Sequence, residues 1–140
     1  MIPLEQAQQQ VMQILTINFN SPLVRAEKLL RIIEDTSGAD QYRLMILIFK
    51  NYKTVQMTSR NNDAPSHPSQ AIKKASSGTS DQFQQFVEKA YEDNLPLEQT
   101  AVNFWDFLLE FRAGLERAVA LGLLMSSFQT LLPYHPKMPL

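Results

Sequence analysis

The sequence predicts an all-α protein, and three observations support that prediction. Apolar residues recur in several segments at the three- and four-residue spacing of amphipathic helices. Proline and hydroxyl residues stand before these segments, where helix starts favour them. Apart from one apolar run that could be a buried strand, no segment alternates polar and apolar residues well enough to form a strand that would pair with it. We therefore expect about five helices in a single bundle-like domain over residues 1–140.

Two short amphipathic helices are predicted at the start of the chain. The first follows Pro3 and carries glutamines opposite its apolar face. The second follows Ser21 and Pro22, a hydroxyl cap and a proline suited to the first helical turn. Gly38 lies in the segment that stops it. The short connection between the two helices indicates an antiparallel hairpin.

The segment over residues 42–57 is ambiguous between helix and strand. Its apolar run from Leu44 to Phe49 contains two isoleucines, which suit a buried strand. Because a lone strand has no partner elsewhere in the chain, we expect a helix. The first helical half then spans about residues 3–57.

The second helical half is predicted over about residues 80–132. One helix begins near residue 80, where cap residues precede apolar positions in helical register. From residue 97 to 132 no proline intervenes and apolar residues dominate, so we expect a long C-terminal helix. One helix of about 35 residues, or two helices with a bend near Gly114 or Gly122, both fit this pattern.

Two segments are predicted to lie outside the helices. Residues 58–79 are rich in Asn, Pro, Ser and Gly, and we expect a flexible basic linker loop between the two halves. Whether that loop is regulatory is left open. The three prolines of residues 133–140 predict an extended tail, since residues before proline are pushed out of helical geometry.

The composition disfavours several classes of function. A formal net charge of −1 gives no overall field for nucleic acid or for an anionic membrane. The absence of cysteine excludes disulfides, thiolate zinc sites and cysteine nucleophiles, and it fits a cytoplasmic protein. No secretory signal is visible at the start. Residues 118–136 are uncharged but contain polar residues and prolines, so we expect no membrane span.

Patterns typical of catalytic and metal sites are also missing from the sequence. His67 and His135 lie in proline-broken segments without carboxylates at ligand spacing. Carboxylate pairs at positions 88/92 and 106/110 suit solvated acidic helix faces better than an acid–base site. We find no phosphate loop, dinucleotide fingerprint or serine-nucleophile motif. We therefore expect neither an enzyme nor a bound metal or cofactor.

Aromatic residues crowd the C-terminal half, and we predict a partner surface there. They cover more than one stripe of the predicted long helix, and a helix apolar on all sides must be buried on all sides. Packing within the chain's own core could bury the helix on all sides. Core packing together with a face that binds a partner could also do so. A row of small residues stands at every fourth position of this helix: Gly114, Ala118, Gly122 and Ser126. This row predicts the close approach of another helix, from the same chain or from a second copy. The predicted interface comprises Phe104, Trp105, Leu108, Phe111, Gly114, Ala118, Gly122 and Ser126.

These features predict a protein that binds other proteins, as a homodimer or as an adaptor or subunit of a larger assembly. Trp105 and the nearby phenylalanines would be its anchors. A nucleic-acid-associated subunit is the alternative, because residues 50–80 carry a formal charge of about +4, although residues 81–116 carry about −6. Its contact residues would be Lys50, Tyr52, Lys53, Arg60, Lys73 and Lys74. A bundle that holds an apolar ligand among its phenylalanines is a third hypothesis.

Overall fold

The computed structural model describes residues 1–17, 21–55, 77–112 and 114–131, and the regular structure in these ranges is entirely helical. The helices are α1 Leu4–Thr16, α2 Pro22–Glu34, α3 Gly38–Lys50, α4 Ser77–Asp93, α5 Leu97–Leu109 and α6 Gly114–Leu131. Residues 52–55 add one helical turn after α3. The predicted all-α class is confirmed. Within the described ranges, no helix combines the length and apolarity needed to cross a membrane.

The described residues hold more helices than the five predicted, and the predicted long C-terminal helix is wrong. The run over residues 97–132 contains two helices, α5 and α6, so the alternative with a break near Gly114 is confirmed. The loop predicted over residues 58–79 ends too late, because residues 77–79 already belong to α4. The rest of that loop and the predicted tail over 133–140 lie outside the described residues.

The described part of the segment that was ambiguous between helix and strand, residues 42–55, is almost entirely helical. α3 covers most of it, and the Asn51 side-chain amide donates a 2.8 Å hydrogen bond to the Leu47 carbonyl at the helix end. The buried side chains of α3 recur at helical intervals, not at every second residue. They are Leu44, Met45, Ile48 and Phe49.

The first two helices begin and end much as their sequence signals predict. The Ser21 hydroxyl accepts hydrogen bonds from the amides of Leu23 at 3.2 Å and Val24 at 3.4 Å. This cap satisfies donors that the start of a helix leaves unpaired. Arg25 of α2 is buried, and its guanidinium donates to the Leu15 carbonyl near the end of α1. Burial lowers the pKa of Arg25 to about 10.

α6 is the central helix of the described fold. It packs on α2 and α4, while α5 packs on α3, and α1 packs on α2 and α3. Although Leu115 and Ser126 of α6 are exposed, buried side chains occur on all sides of the middle of the helix, so the rest of the chain encloses that part. The buried side chains of α6 are Ala118, Val119, Ala120, Leu121, Leu124, Met125 and Phe128. Helices from both predicted halves therefore contribute to one continuous core.

The corner between α5 and α6 is held by Arg117. Its Nε donates hydrogen bonds to the carbonyl oxygens of Leu108 at 3.1 Å and Phe111 at 2.9 Å. These carbonyls lie at a helix end, where intrahelical donors run out and where the helix dipole favours a positive charge. Nη1 of Arg117 also donates to Glu34 Oε2 at 2.9 Å. One side chain therefore stabilises the end of α5 and ties the corner to α2.

A left-handed residue ends α4. Asn94 has φ 49°, a conformation that asparagine tolerates better than most residues. Its amide donates a 3.0 Å hydrogen bond to the Ala90 carbonyl, the pattern of a left-handed helix cap. Pro96 then stands directly before α5. This short connection keeps α4 and α5 adjacent.

We predict that replacing Arg117 with Met lowers the free energy of unfolding by about 2 kcal/mol. Methionine keeps much of the aliphatic volume, but it leaves the Phe111 carbonyl and Glu34 without the donor that Arg117 provides. The Leu108 carbonyl keeps only the Phe111 amide as its donor. Urea unfolding followed by circular dichroism measures the change.

The matched control is Arg112→Met, which removes the same group from an exposed position at the same corner. We expect this change to cost less than about 0.5 kcal/mol. Equal losses for the two variants would show that the hydrogen bonds of Arg117 do not stabilise the corner.

Candidate interaction groove

A groove of about 670 Å³ lies between α4 and α5. The two helices are consecutive, but α4 packs mainly on α6 and α5 packs mainly on α3. Because different neighbours hold the two helices, their backbones approach each other at few points and leave space between them. The helices meet mainly through phenylalanine rings that both of them contribute. We call this feature the α4/α5 groove.

Three phenylalanines form the aromatic floor of the groove: Phe86, Phe107 and Phe111. The rings of Phe86 and Phe107 are stacked, with centroids 5.2 Å apart and an interplanar angle of 28°. Phe107 and Phe111 meet edge to face at 5.2 Å. Phe86 and Phe107 are only half-buried, so apolar surface of the floor faces solvent.

The aromatic floor is continuous with the core through Phe104. This fully buried ring lies 5.3 Å from Phe86 and 5.7 Å from Phe107, between ring centroids. On its other side it lies 6.0 Å from Phe49 of α3. Each such aromatic pair contributes about 0.5–1.5 kcal/mol beyond its buried area. The floor is therefore a fixed surface supported from beneath.

The rim of the groove is polar, and most of its charged residues are acidic. Three carboxylates line it, from Asp93 on α4 and from Asp106 and Glu110 at the end of α5, against the single cation of Lys89. Lys89 Nζ lies 4.0 Å from Asp93 Oδ2, a weak exposed ion pair. Three carboxylates and one lysine leave the lining with a formal charge of −2.

A hydrogen bond from α3 positions one of the rim carboxylates. The Tyr42 hydroxyl donates to Asp106 Oδ1 across the α3–α5 contact. This hydrogen bond, with smaller effects of desolvation and of the Asp106 charge, raises the pKa of Tyr42 above its ordinary value. Tyrosine is a neutral donor, so this hydrogen bond brings no positive charge to the groove.

The structure places most of the predicted partner interface inside the chain's own core. Phe104, Trp105 and Leu108 have no exposed surface, and Phe111 is 7% exposed. The side chains that were expected to anchor a partner therefore pack against other helices of the same chain. Of the other four residues in the predicted interface, Ala118 and Gly122 are buried, and Gly114 and Ser126 are exposed.

The row of small residues on α6 does not form an exposed ridge. A Cβ atom built on Gly114 would meet nothing within 4 Å, so no neighbouring group closely approaches this glycine in the described part of the chain. Ala118 is buried in the core, and the Ser126 hydroxyl donates a 3.1 Å hydrogen bond to the Gly122 carbonyl of its own helix. Only the two ends of the row reach the surface.

The basic residues predicted for nucleic-acid contact are only partly described. Lys50 Nζ lies 3.3 Å from Glu98 Oε2, so a carboxylate of α5 already accompanies this charge. The Tyr52 ring packs near Phe128 with centroids 6.2 Å apart, and Lys53 is exposed. The other three, Arg60, Lys73 and Lys74, lie outside the described residues. The described members do not form an open basic surface with a free stacking ring.

A second depression, between α1 and α3, offers less apolar surface. It is lined chiefly by glutamines and other polar residues of α1, with Met12 and Leu47 as its apolar members. No aromatic ring lines it. The α4/α5 groove is therefore the stronger candidate for binding a partner.

No metal site is visible in the described residues: nowhere in them do three His, Asp or Glu side chains converge as ligands would. His67 and His135 lie outside these residues. Comparison of the chain with protein-family models, with curated proteins and with solved structures gave no match.

The sequence predictions include some residues that line the α4/α5 groove but do not join them into a site. They place Phe111 in the partner interface and the carboxylates at 106 and 110 on an acidic helix face. They do not single out Phe107, which lies beside the buried stripe that contains Phe104 and Leu108. One signal in the sequence was available: Phe107 and Phe111 are four residues apart and so share a helix face. Which face points outward depends on how α4 and α3 pack against α5.

We predict that Tyr42→Phe destabilises the protein at neutral pH, and that this effect fades at high pH. The raised pKa means that the fold favours the protonated phenol, so its stabilisation is complete below the unfolded pKa of about 10. This stabilisation is lost as the pH rises through the higher pKa that Tyr42 has in the folded protein. Urea unfolding of both proteins at about pH 7 and at about pH 11 measures the difference.

A double-mutant cycle with Asp106→Ala isolates this contact. In the Asp106→Ala background, Tyr42→Phe should produce no pH-dependent change, because the acceptor is gone. The same pH-dependent loss in both backgrounds would rule out the Tyr42–Asp106 hydrogen bond as its source.

Proposed function

We propose that the protein is a non-enzymatic protein–protein interaction module whose α4/α5 groove binds a helical segment of a partner protein. The supporting observation is the aromatic floor: two half-buried stacked rings, packed from beneath on Phe104, line a space between two helices whose backbones approach each other at few points. An amphipathic helix laid into an apolar groove is a recurring mode of recognition. An adaptor or assembly-subunit role in the cytoplasm is part of this proposal, and the absence of cysteine fits a reducing compartment.

A partner protein suits the groove better than a small apolar ligand. Sites for small molecules enclose most of the ligand surface, with few polar groups. Here glutamines, an asparagine and four charged residues line the groove beside the aromatic floor. An apolar core with a polar rim is instead the arrangement found at protein interfaces.

A heterologous partner suits the groove better than a second copy of the chain. A two-fold dimer through the groove would place the same surface against itself. Asp93, Asp106 and Glu110 would then face the carboxylates of the other copy, and like charges across an interface disfavour association. The homodimer predicted from the small-residue row would need a surface that the described fold does not expose.

The test uses a synthetic helical peptide with leucines at positions i, i+3, i+4 and i+7 and neutral glutamines elsewhere. We expect its addition to shift amide NMR signals of α4 and α5 around the groove. Gln85→Trp, which places a bulky ring at the groove lining, should weaken binding about 10-fold or more, since it fills the space that the peptide needs.

The matched control is Gln84→Trp, because Gln84 is the neighbouring exposed glutamine of α4 and does not line the groove. This variant should bind the peptide like the original protein. Peptide-induced shifts that lie elsewhere, or equal weakening by the two tryptophans, would overturn the assignment of the groove.

A further inference from the structure

We propose that the segment bound in the α4/α5 groove is a basic amphipathic helix, with arginines or lysines on both sides of its apolar stripe. This inference rests on the proposed function of the groove and names the chemistry of its partner. It is supported by the charges around the groove and by the contacts that those charges make within the chain.

The carboxylates on the α5 side of the groove lack cations of their own. Asp106 and Glu110 are one helical turn apart, about 6 Å along the axis. Within the described ranges neither forms an ion pair, and Asp106 accepts only the neutral Tyr42 hydroxyl. Both side chains are exposed at the lining. Two negative charges are therefore available to a ligand on this side.

The opposite side of the groove also ends in a carboxylate. Asp93 stands at the end of α4, with the Lys89 ammonium 4.0 Å away, too far for a strong hydrogen bond. A helix lying between α4 and α5 would pass between Asp93 on one side and Asp106 and Glu110 on the other. Basic residues that flank its apolar stripe on both sides would meet these carboxylates.

The surrounding surface has the same sign as the groove lining. α4 carries four carboxylates against one lysine, and α5 with Glu110 carries three carboxylates and no cation. A field of one sign around a binding site speeds the association of oppositely charged partners and disfavours others of its own sign. The field therefore favours a basic segment and opposes an acidic one.

Arginine suits the partner segment in two ways. Its planar guanidinium binds a carboxylate through two parallel hydrogen bonds. It also stacks on aromatic rings, and the half-buried rings of Phe86 and Phe107 line the same groove as the carboxylates. We therefore expect arginine at the flanking positions to bind more tightly than lysine.

The experiment compares three peptides with the same length and leucine stripe, flanked by arginine, glutamine or glutamate. Isothermal titration at about 50 mM and about 300 mM salt measures each affinity. We expect the arginine peptide to bind about 10-fold tighter than the glutamine peptide at low salt, and the glutamate peptide to bind weakest. The higher salt concentration should reduce the difference in affinity between the peptides, because salt screens the charges.

Two charge-reversal variants test whether the groove carboxylates cause this preference. Asp93→Lys with Glu110→Lys changes the groove, whereas Glu88→Lys with Glu92→Lys makes the same change of net charge at exposed positions of α4 outside the lining. The first variant should lose the preference for the arginine peptide. The second should keep it to within about twofold, since exposed charges away from the contact are largely screened.

The outcomes separate this inference from the proposed function. If the glutamine peptide binds in the groove as tightly as the arginine peptide, the groove is a docking site, but the inference that its partner is basic is wrong. If both charge-reversal variants lose the preference equally, general attraction explains it and the inference fails. If none of the peptides shifts the NMR signals of the groove, the proposed function fails with it.

Discussion

The hydrogen bonds of Arg117 to the last carbonyls of α5 are the contact on which the rest of the arrangement depends. Without a break after Leu109, residues 97–131 would form one helix roughly 50 Å long, far longer than the helices of 13–18 residues around it. The corner lets α6 turn into the centre of the fold, where neighbours enclose the middle of the helix on all sides. The bond from Arg117 to Glu34 sets this corner against α2, the main neighbour of α6.

The α4/α5 groove follows from the same corner. α6 in its central position holds α4, while α5 on the other side of the corner is held by α3, so the two groove helices are fixed by different partners. The left-handed cap at Asn94 keeps them adjacent, and their phenylalanine rings meet although their backbones approach each other at few points. Phe104 supports the aromatic floor from the core, and the Tyr42–Asp106 hydrogen bond ties the rim to α3. The groove is thus a consequence of core packing, with its polar groups added at the edges.

Local signals in the sequence predicted what local chemistry decides. The Ser21 cap, the helical register of the first half and the all-α class are of this kind. The corner was harder to predict, because no proline marks residues 110–113. The side chain that stabilises it, Arg117, belongs to the next helix and donates to carbonyls that precede that helix. The site was hardest. Phe104 and Phe107 look alike in the sequence, yet one is fully buried and the other is half-exposed, and only the packing of α3 and α4 distinguishes them.

The central claim is that the aromatic run is broken at the Arg117 corner, so that α5 and α6 are separate helices. Backbone Cα chemical shifts of the full chain, measured by NMR, test this most directly. We expect helical shifts over residues 97–109 and 114–131, separated by non-helical values at residues 111 and 112. We also expect proton contacts between the Arg117 side chain and the residues at the end of α5. Uninterrupted helical shifts from residue 97 to 131 would contradict the corner and the groove that depends on it.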